Sequence, residues 1–112
     1  MTLTCKKNIA RAINKTNKLL DEFENDSKKT TDILDESNVK PIYMITMRLN
    51  KNYKLEINMI PIGTATCELV YYILNNNDSA IDQVTYGNNI DYYHDHTDMI
   101  RKDLEYLLNM YC

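Results

Sequence analysis

Tyr43-Met44-Ile45-Thr46-Met47-Arg48-Leu49, then Asn50-Lys51-Asn52, then Tyr53-Lys54-Leu55-Glu56-Ile57-Asn58-Met59 is the stretch that decides the fold. Tyr43, Ile45, Met47 and Leu49 alternate with Met44, Thr46 and Arg48. After the Asn-rich break, Tyr53, Leu55, Ile57 and Met59 alternate with Lys54, Glu56 and Asn58. Successive side chains of an extended chain point to opposite faces. Period-2 patterning on both sides of a short polar break therefore predicts a β-hairpin over 42–60 with one buried face. Asn tolerates the left-handed conformation that a tight hairpin turn usually demands, which suits this break to a turn.

A sheet with one apolar face needs a cover, and the flanking segments supply helices. Over 4–36, Ile9, Ile13, Thr16, Leu20, Phe23, Ser27, Thr30 and Leu34 follow the 4-3-4-3 spacing of a helical seam, and Pro41 closes the region. The seam turns polar after Phe23, and Asn25-Asp26-Ser27 offers a point where one helix could end and another begin. Downstream, Pro61 and Gly63 stop the second strand. Thr64 or Thr66 can cap a middle helix whose stripe is Leu69, Val70, Ile73 and Leu74, ended by Asn75-Asn76-Asn77-Asp78. Val84 and Tyr86, then Ile90 and Tyr92, flank Gly87-Asn88-Asn89 and predict a second, more polar hairpin over 82–94. A C-terminal helix starts near Thr97 or Asp98, with Ile100, Leu104, Leu107, Leu108 and Tyr111 as its stripe. The expected class is α+β: one domain over 1–112, a small antiparallel sheet covered by a long N-terminal, a middle and a C-terminal helix.

At 112 residues and 44% hydrophobic content the chain can bury a real core. Heavy use of Asn, Ile, Lys, Asp and Tyr, with no Trp, fits an AT-rich coding genome such as that of many phages, viruses and low-GC bacteria. Cys5, Cys67 and Cys112 are odd in number and widely spaced, which argues against a disulfide framework and for a reducing compartment. The start of the chain lacks the apolar core of a signal peptide, and the longest apolar run, Leu69 to Leu74, is too short to span a bilayer. A soluble, cytoplasmic protein of a host or infected cell is expected, with no membrane partner.

Charge is strongly segregated. Residues 1–54 hold eleven of the thirteen basic residues against seven acids, about +4. Residues 55–100 hold Glu56, Glu68, Asp78, Asp82, Asp91, Asp95 and Asp98 and no base, about −7. Such a field steers encounters with charged macromolecules. Lys7, Arg11, Lys15 and Lys18 lie on the helix face opposite the seam, as the solvated back of a core helix does. Direct nucleic-acid binding through them is not expected, because the acidic middle repels the same polyanion.

Two isolated glycines cannot form a phosphate-cradling loop, and no nucleophile stands in a recognisable catalytic motif, so no enzyme activity and no cofactor is expected. His94-Asp95-His96 has the H-x-H step of a zinc site if extended, and His94 to Asp98 matches part of the H-x-H-x-D-H pattern of metallo-β-lactamases. Position 99 is Met, however, and there is no further histidine, so no metal is expected. The stretch from Asp78 to Asp98 instead interleaves carboxylates with tyrosines. Asp78, Asp82, Tyr86, Asp91, Tyr92, Tyr93, Asp95 and Asp98 form the expected partner-binding face: tyrosines bury area at low entropic cost and carboxylates pair with Arg or Lys.

The opening Met1-Thr2-Leu3-Thr4, Lys6-Lys7 and later Leu20-Asp21-Glu22-Phe23-Glu24 resemble the N-terminal helix of phage-encoded type II-A anti-CRISPR proteins over about the first quarter of the chain. The resemblance implies a small phage protein that blocks a host nuclease stoichiometrically, with an acidic surface in a basic nucleic-acid channel. The expectation is a non-enzymatic inhibitor of a basic, nucleic-acid-handling host protein. The alternative is a structural or assembly subunit that forms a homodimer, or pairs with another chain, through the N-terminal helix.

Overall fold

The computed structural model describes residues 2–29, 43–63 and 66–112. In chain order the elements are α1 (Leu3–Lys29), β1 (Tyr43–Arg48), β2 (Lys54–Pro61), β3 (Thr66–Leu74), β4 (Ala80–Asn89), α2 (Ile90–Asp95) and α3 (Thr97–Asn109). The strands form one antiparallel sheet in the order β1-β2-β3-β4. The α+β class expected from the sequence is observed.

The sheet's inner face is built in rows that the register fixes. Tyr43, Met59, Leu69 and Tyr86 stand side by side; so do Ile45, Ile57, Tyr71 and Val84; the third row is Met47, Leu55, Ile73 and Asp82. Helix α1 packs on β1, β2 and α3. It buries Cys5, Ile9, Ala12, Thr16, Leu19, Leu20 and Phe23, spaced three and four apart on one face. The expected seam is thus core from Ile9 to Phe23, with Ile13 half-buried, and Lys7, Arg11 and Lys18 lie exposed on its back, with Lys15 half-buried. Thr2 starts the helix by accepting the Cys5 N–H on its hydroxyl at 3.1 Å. Inside, the Thr16 hydroxyl donates to the Ala12 carbonyl at 2.9 Å, which leaves it to accept the Tyr71 hydroxyl at 2.6 Å. Buried Asn8 donates to the Leu49 carbonyl at 3.2 Å and ties α1 to the first hairpin. Helix α1 continues through Asn25-Asp26-Ser27 to Lys29; the expected helix beyond that and its stop at Pro41 lie outside the described residues.

The hairpin over 42–60 is observed, but its turn works differently from expectation. Among the described non-glycine residues only Asp78, at φ 59°, has a left-handed backbone. Asn50 instead accepts the Asn52 and Tyr53 N–H groups on its side-chain oxygen, at 2.8 and 3.0 Å, so its amide and not a left-handed residue closes the turn. The left-handed residue sits in the β3–β4 turn, where Asn75 likewise accepts from Asn77 and Ser79.

Two expected elements are corrected. The middle helix is strand β3: Leu69, Val70, Ile73 and Leu74 fit a helical stripe, but Cys67, Leu69, Tyr71 and Ile73 also alternate, and all four face the core. Val70 and Leu74 are buried on the opposite face as well. A central strand buried on both sides reads as a continuous apolar run, and its Val, Ile and Tyr content favours the strand. The second hairpin over 82–94 is likewise absent. Gly87-Asn88-Asn89 closes strand β4 with Gly87 not at positive φ, and Asn89 caps α2 by accepting the Tyr92 N–H at 2.8 Å. Helix α3 starts at Thr97 as expected and buries Ile100, Leu104, Leu107 and Leu108.

The cysteines also depart from expectation. Cys5 and Cys112 are joined in a disulfide, with Cα atoms 5.4 Å apart across a sequence separation of 107, while Cys67 is free and buried. Wide spacing in sequence said nothing of this, because α3 packs on α1 and returns the end of the chain to the start of α1. Among the described residues no helix is long and apolar enough to cross a membrane.

Candidate functional site

The stretch from Asp78 to Asp98 does not fold into one face. Strand β4 separates Asp78 from Asp91–Asp98, and ten extended residues at ~3.3 Å each span about 30 Å. Asp78, in the β3–β4 turn, pairs with Lys54. Asp82 accepts the Tyr111 hydroxyl at 3.0 Å. Tyr86 points to the core, edge-on to Tyr71, and donates to Asp103; burial, then the Asp103 carboxylate, holds its phenol well above the ordinary range. Tyr93 is 0% exposed. Its hydroxyl donates to the Cys67 carbonyl at 2.8 Å, with the Tyr86 carbonyl at 3.2 Å, and accepts the Asn88 N–H at 2.9 Å. Asp82, Tyr86 and Tyr93 are engaged in contacts within the fold, and exposed Asp78 stands at the far end of β4, paired with Lys54.

What survives of the expected face is a corner made by α2 and the start of α3. Tyr93 and Ile90 turn inward and anchor α2 on the end of the sheet, which forces Asp91, His94 and Asp95 outward. Asp98, in the first turn of α3, is exposed beside them, where the positive end of the helix dipole favours a carboxylate. Tyr92 is half-buried: it meets the Tyr93 ring edge-on, stacks on His96 at 4.0 Å with 17° between planes, and donates to the Met99 sulfur at 3.7 Å. Among the described residues, no lysine or arginine forms an ion pair with Asp91, Asp95 or Asp98.

The two histidines diverge. The ring of His96 lies on Tyr92, with Nδ1 2.9 Å from the Tyr92 carbonyl, whereas His94 turns toward α1 and brings Nε2 to 3.7 Å from Glu24. The H-x-H step is wound into a helix and its cap, so both imidazoles cannot address one ion. Sequence reasoning missed that the acids of α1 join this corner. Asp21 and Glu24 stand one turn apart and face His94. The run Asp21-Glu22-Phe23-Glu24, following the basic stripe, was the available signal, but nothing in the sequence says which end of α1 meets α2.

Beside the corner, Ile13, Thr16, Asn17, Leu20, Tyr93, Thr97 and Ile100 line a small opening between α1 and α3. Cys67 is sealed at the other end of the Tyr93 contact. Burial pushes its thiol up to about 11, so it is not a thiolate at neutral pH. Comparison with protein-family models, curated protein sequences and solved structures found no match.

Proposed function

We propose that the protein is a non-enzymatic binding module that meets a basic partner through its acidic corner, with Asp91, Asp95 and Asp98 as the charged contacts and Tyr92 as the flat apolar one. One observation carries this reading: three exposed carboxylates without a described cationic partner stand on a short helix that buried Tyr93 holds rigidly to the sheet. Carboxylates held on a rigid element bind Arg or Lys without first being ordered. The specific form of the proposal is an inhibitor of a nucleic-acid-handling protein, in which the carboxylates take the places of phosphates in a basic groove. Pairing through α1 is less well supported, because Ile9, Leu20 and Phe23 are already buried in the chain's own core.

The test is retention of partners from a host lysate by the protein and by a variant carrying Asp91→Asn, Asp95→Asn and Asp98→Asn. The proposal expects one dominant basic partner, released by added duplex DNA that competes for its groove and lost with the variant. An identical partner set for both proteins, or a partner indifferent to DNA, overturns it.

A further inference from the structure

The geometry points to a divalent metal site of the zinc class formed by Asp21 and Glu24 of α1 with His94 of α2. Their ligand atoms all lie within 4.8 Å of one another, and His94 Nε2 is 3.7 Å from Glu24 Oε2. A tetrahedral ion with bonds of about 2.0–2.2 Å holds its donors roughly 3.3–3.6 Å apart. The His94–Glu24 pair, at 3.7 Å, is just outside that spacing. Asp21 is exposed, and rotation of its side chain closes the remainder.

Sequence spacing and fold both contribute. Positions three apart on a helix share a face, so Asp21 and Glu24 present two carboxylates side by side on α1. Tyr93 turned into the core fixes the rotation of α2 and aims the next residue, His94, across at them. Asp21, Glu24 and His94 each offer one ligand atom to the same small volume, from two different helices. Asp91, one turn before His94, and Asp95 beside it are exposed next to the group. A divalent cation held there would take the neutral imidazole as its nitrogen ligand.

The donor set selects the ion. Magnesium and calcium prefer shells of six or more oxygens, whereas one imidazole with two carboxylates suits zinc, with water completing the shell. A bound ion would join the C-terminal half of α1 to α2. This inference concerns the isolated protein and stands apart from the partner-binding proposal, which uses Asp91, Asp95 and Asp98.

The experiment is a Zn²⁺ titration of the oxidised, full-length protein at pH 7.5, followed through the imidazole resonances of both histidines. The expected result is a shift of the His94 signals that saturates at one ion per chain, with little movement of His96. His94→Gln and Glu24→Gln should each weaken binding by more than the ~10–100-fold typical of losing an outer-shell partner, while Asp91→Asn with Asp95→Asn should weaken it less. All these side chains reach the surface, and circular dichroism checks that the variants remain folded. Absence of saturation by about 1 mM Zn²⁺, binding that survives His94→Gln, or an equal response to Mg²⁺ overturns the site.

Discussion

At the scale of single residues, the buried hydroxyls and the buried thiol set how the protein responds to alkali. Burial raises the Cys67 thiol from 9.0 to about 11 and the Tyr93 phenol from 10.0 to about 12, and it also raises Tyr71. In each case the unfolded chain gives up its proton at lower pH than the folded one. Above pH 9 the unfolded state therefore binds fewer protons, and stability falls as pH rises. The loss begins near pH 9 with Cys67, continues from pH 10 with the tyrosines, and is complete for each group only above its folded value. Urea midpoints should stay level between about pH 7 and 8.5 and fall from about pH 8.5 to 10.5. A midpoint that rises through that window would contradict the burial of these groups. Tyr93→Phe should cost about 1–3 kcal/mol at pH 7, because it strands the buried Cys67 carbonyl. It should also loosen α2, seen as faster amide exchange at Tyr92 and His94. Here lies the part of the site that no sequence pattern could disclose. Tyr92 and Tyr93 are adjacent and chemically identical, and only the path of α2 over the sheet decides that one is an anchor and the other a surface.

At the scale of elements, legibility followed periodicity. The first hairpin, α1 over its described residues and α3 each bury one face, so their patterns have a single period that matches the observed elements. Strand β3 lies between β2 and β4 and is buried on both faces, so Leu69-Val70-Tyr71-Tyr72-Ile73-Leu74 lacks the clean alternation that marks β1 and β2. Gly87-Asn88-Asn89 has the composition of a turn, yet it ends a strand and caps a helix, two uses of the same residue types. Amide exchange tests the strand assignment: paired on both sides, the amides of Leu69 to Ile73 should be among the slowest in the chain, with β4 edge amides faster. Helix α1 supplies the companion test. Leu20→Ala should cost about 2–5 kcal/mol. Lys18→Ala, on the exposed back, should stay within about 0.5 kcal/mol. Light scattering under reductant should give a monomer for both variants, because the seam is spent inside the chain.

At the scale of the whole molecule, charge and covalent closure share one geometry. Along α1 the basic residues from Lys6 to Lys18 give way to Asp21, Glu22 and Glu24, so this acidic stretch of the helix lies with α2 and the basic first half lies with the chain terminus. The terminus is held three ways. Asn50 donates to the Tyr111 carbonyl at 2.7 Å, the Tyr111 hydroxyl reaches Asp82, and Cys112 bonds Cys5. The first two contacts act only in the folded state, whereas the disulfide acts mainly by restricting the unfolded chain. A closed loop of about 100 residues corresponds to as much as ~4.7 kcal/mol in the chain-entropy picture, with 2–4 kcal/mol typical in practice. Cys112 is exposed, so Cys112→Ser removes the bond without leaving a cavity. The variant, and the wild type under reductant, should melt about 10 °C lower than the oxidised protein. Both should keep the Tyr53–Tyr111 ring contact, visible as unchanged aromatic shifts, because Asn50 and Asp82 still hold the segment. Equal melting temperatures with and without reductant would mean the two cysteines do not bond in solution. Loss of the aromatic contact on reduction would instead assign the docking of the C-terminus to the disulfide alone.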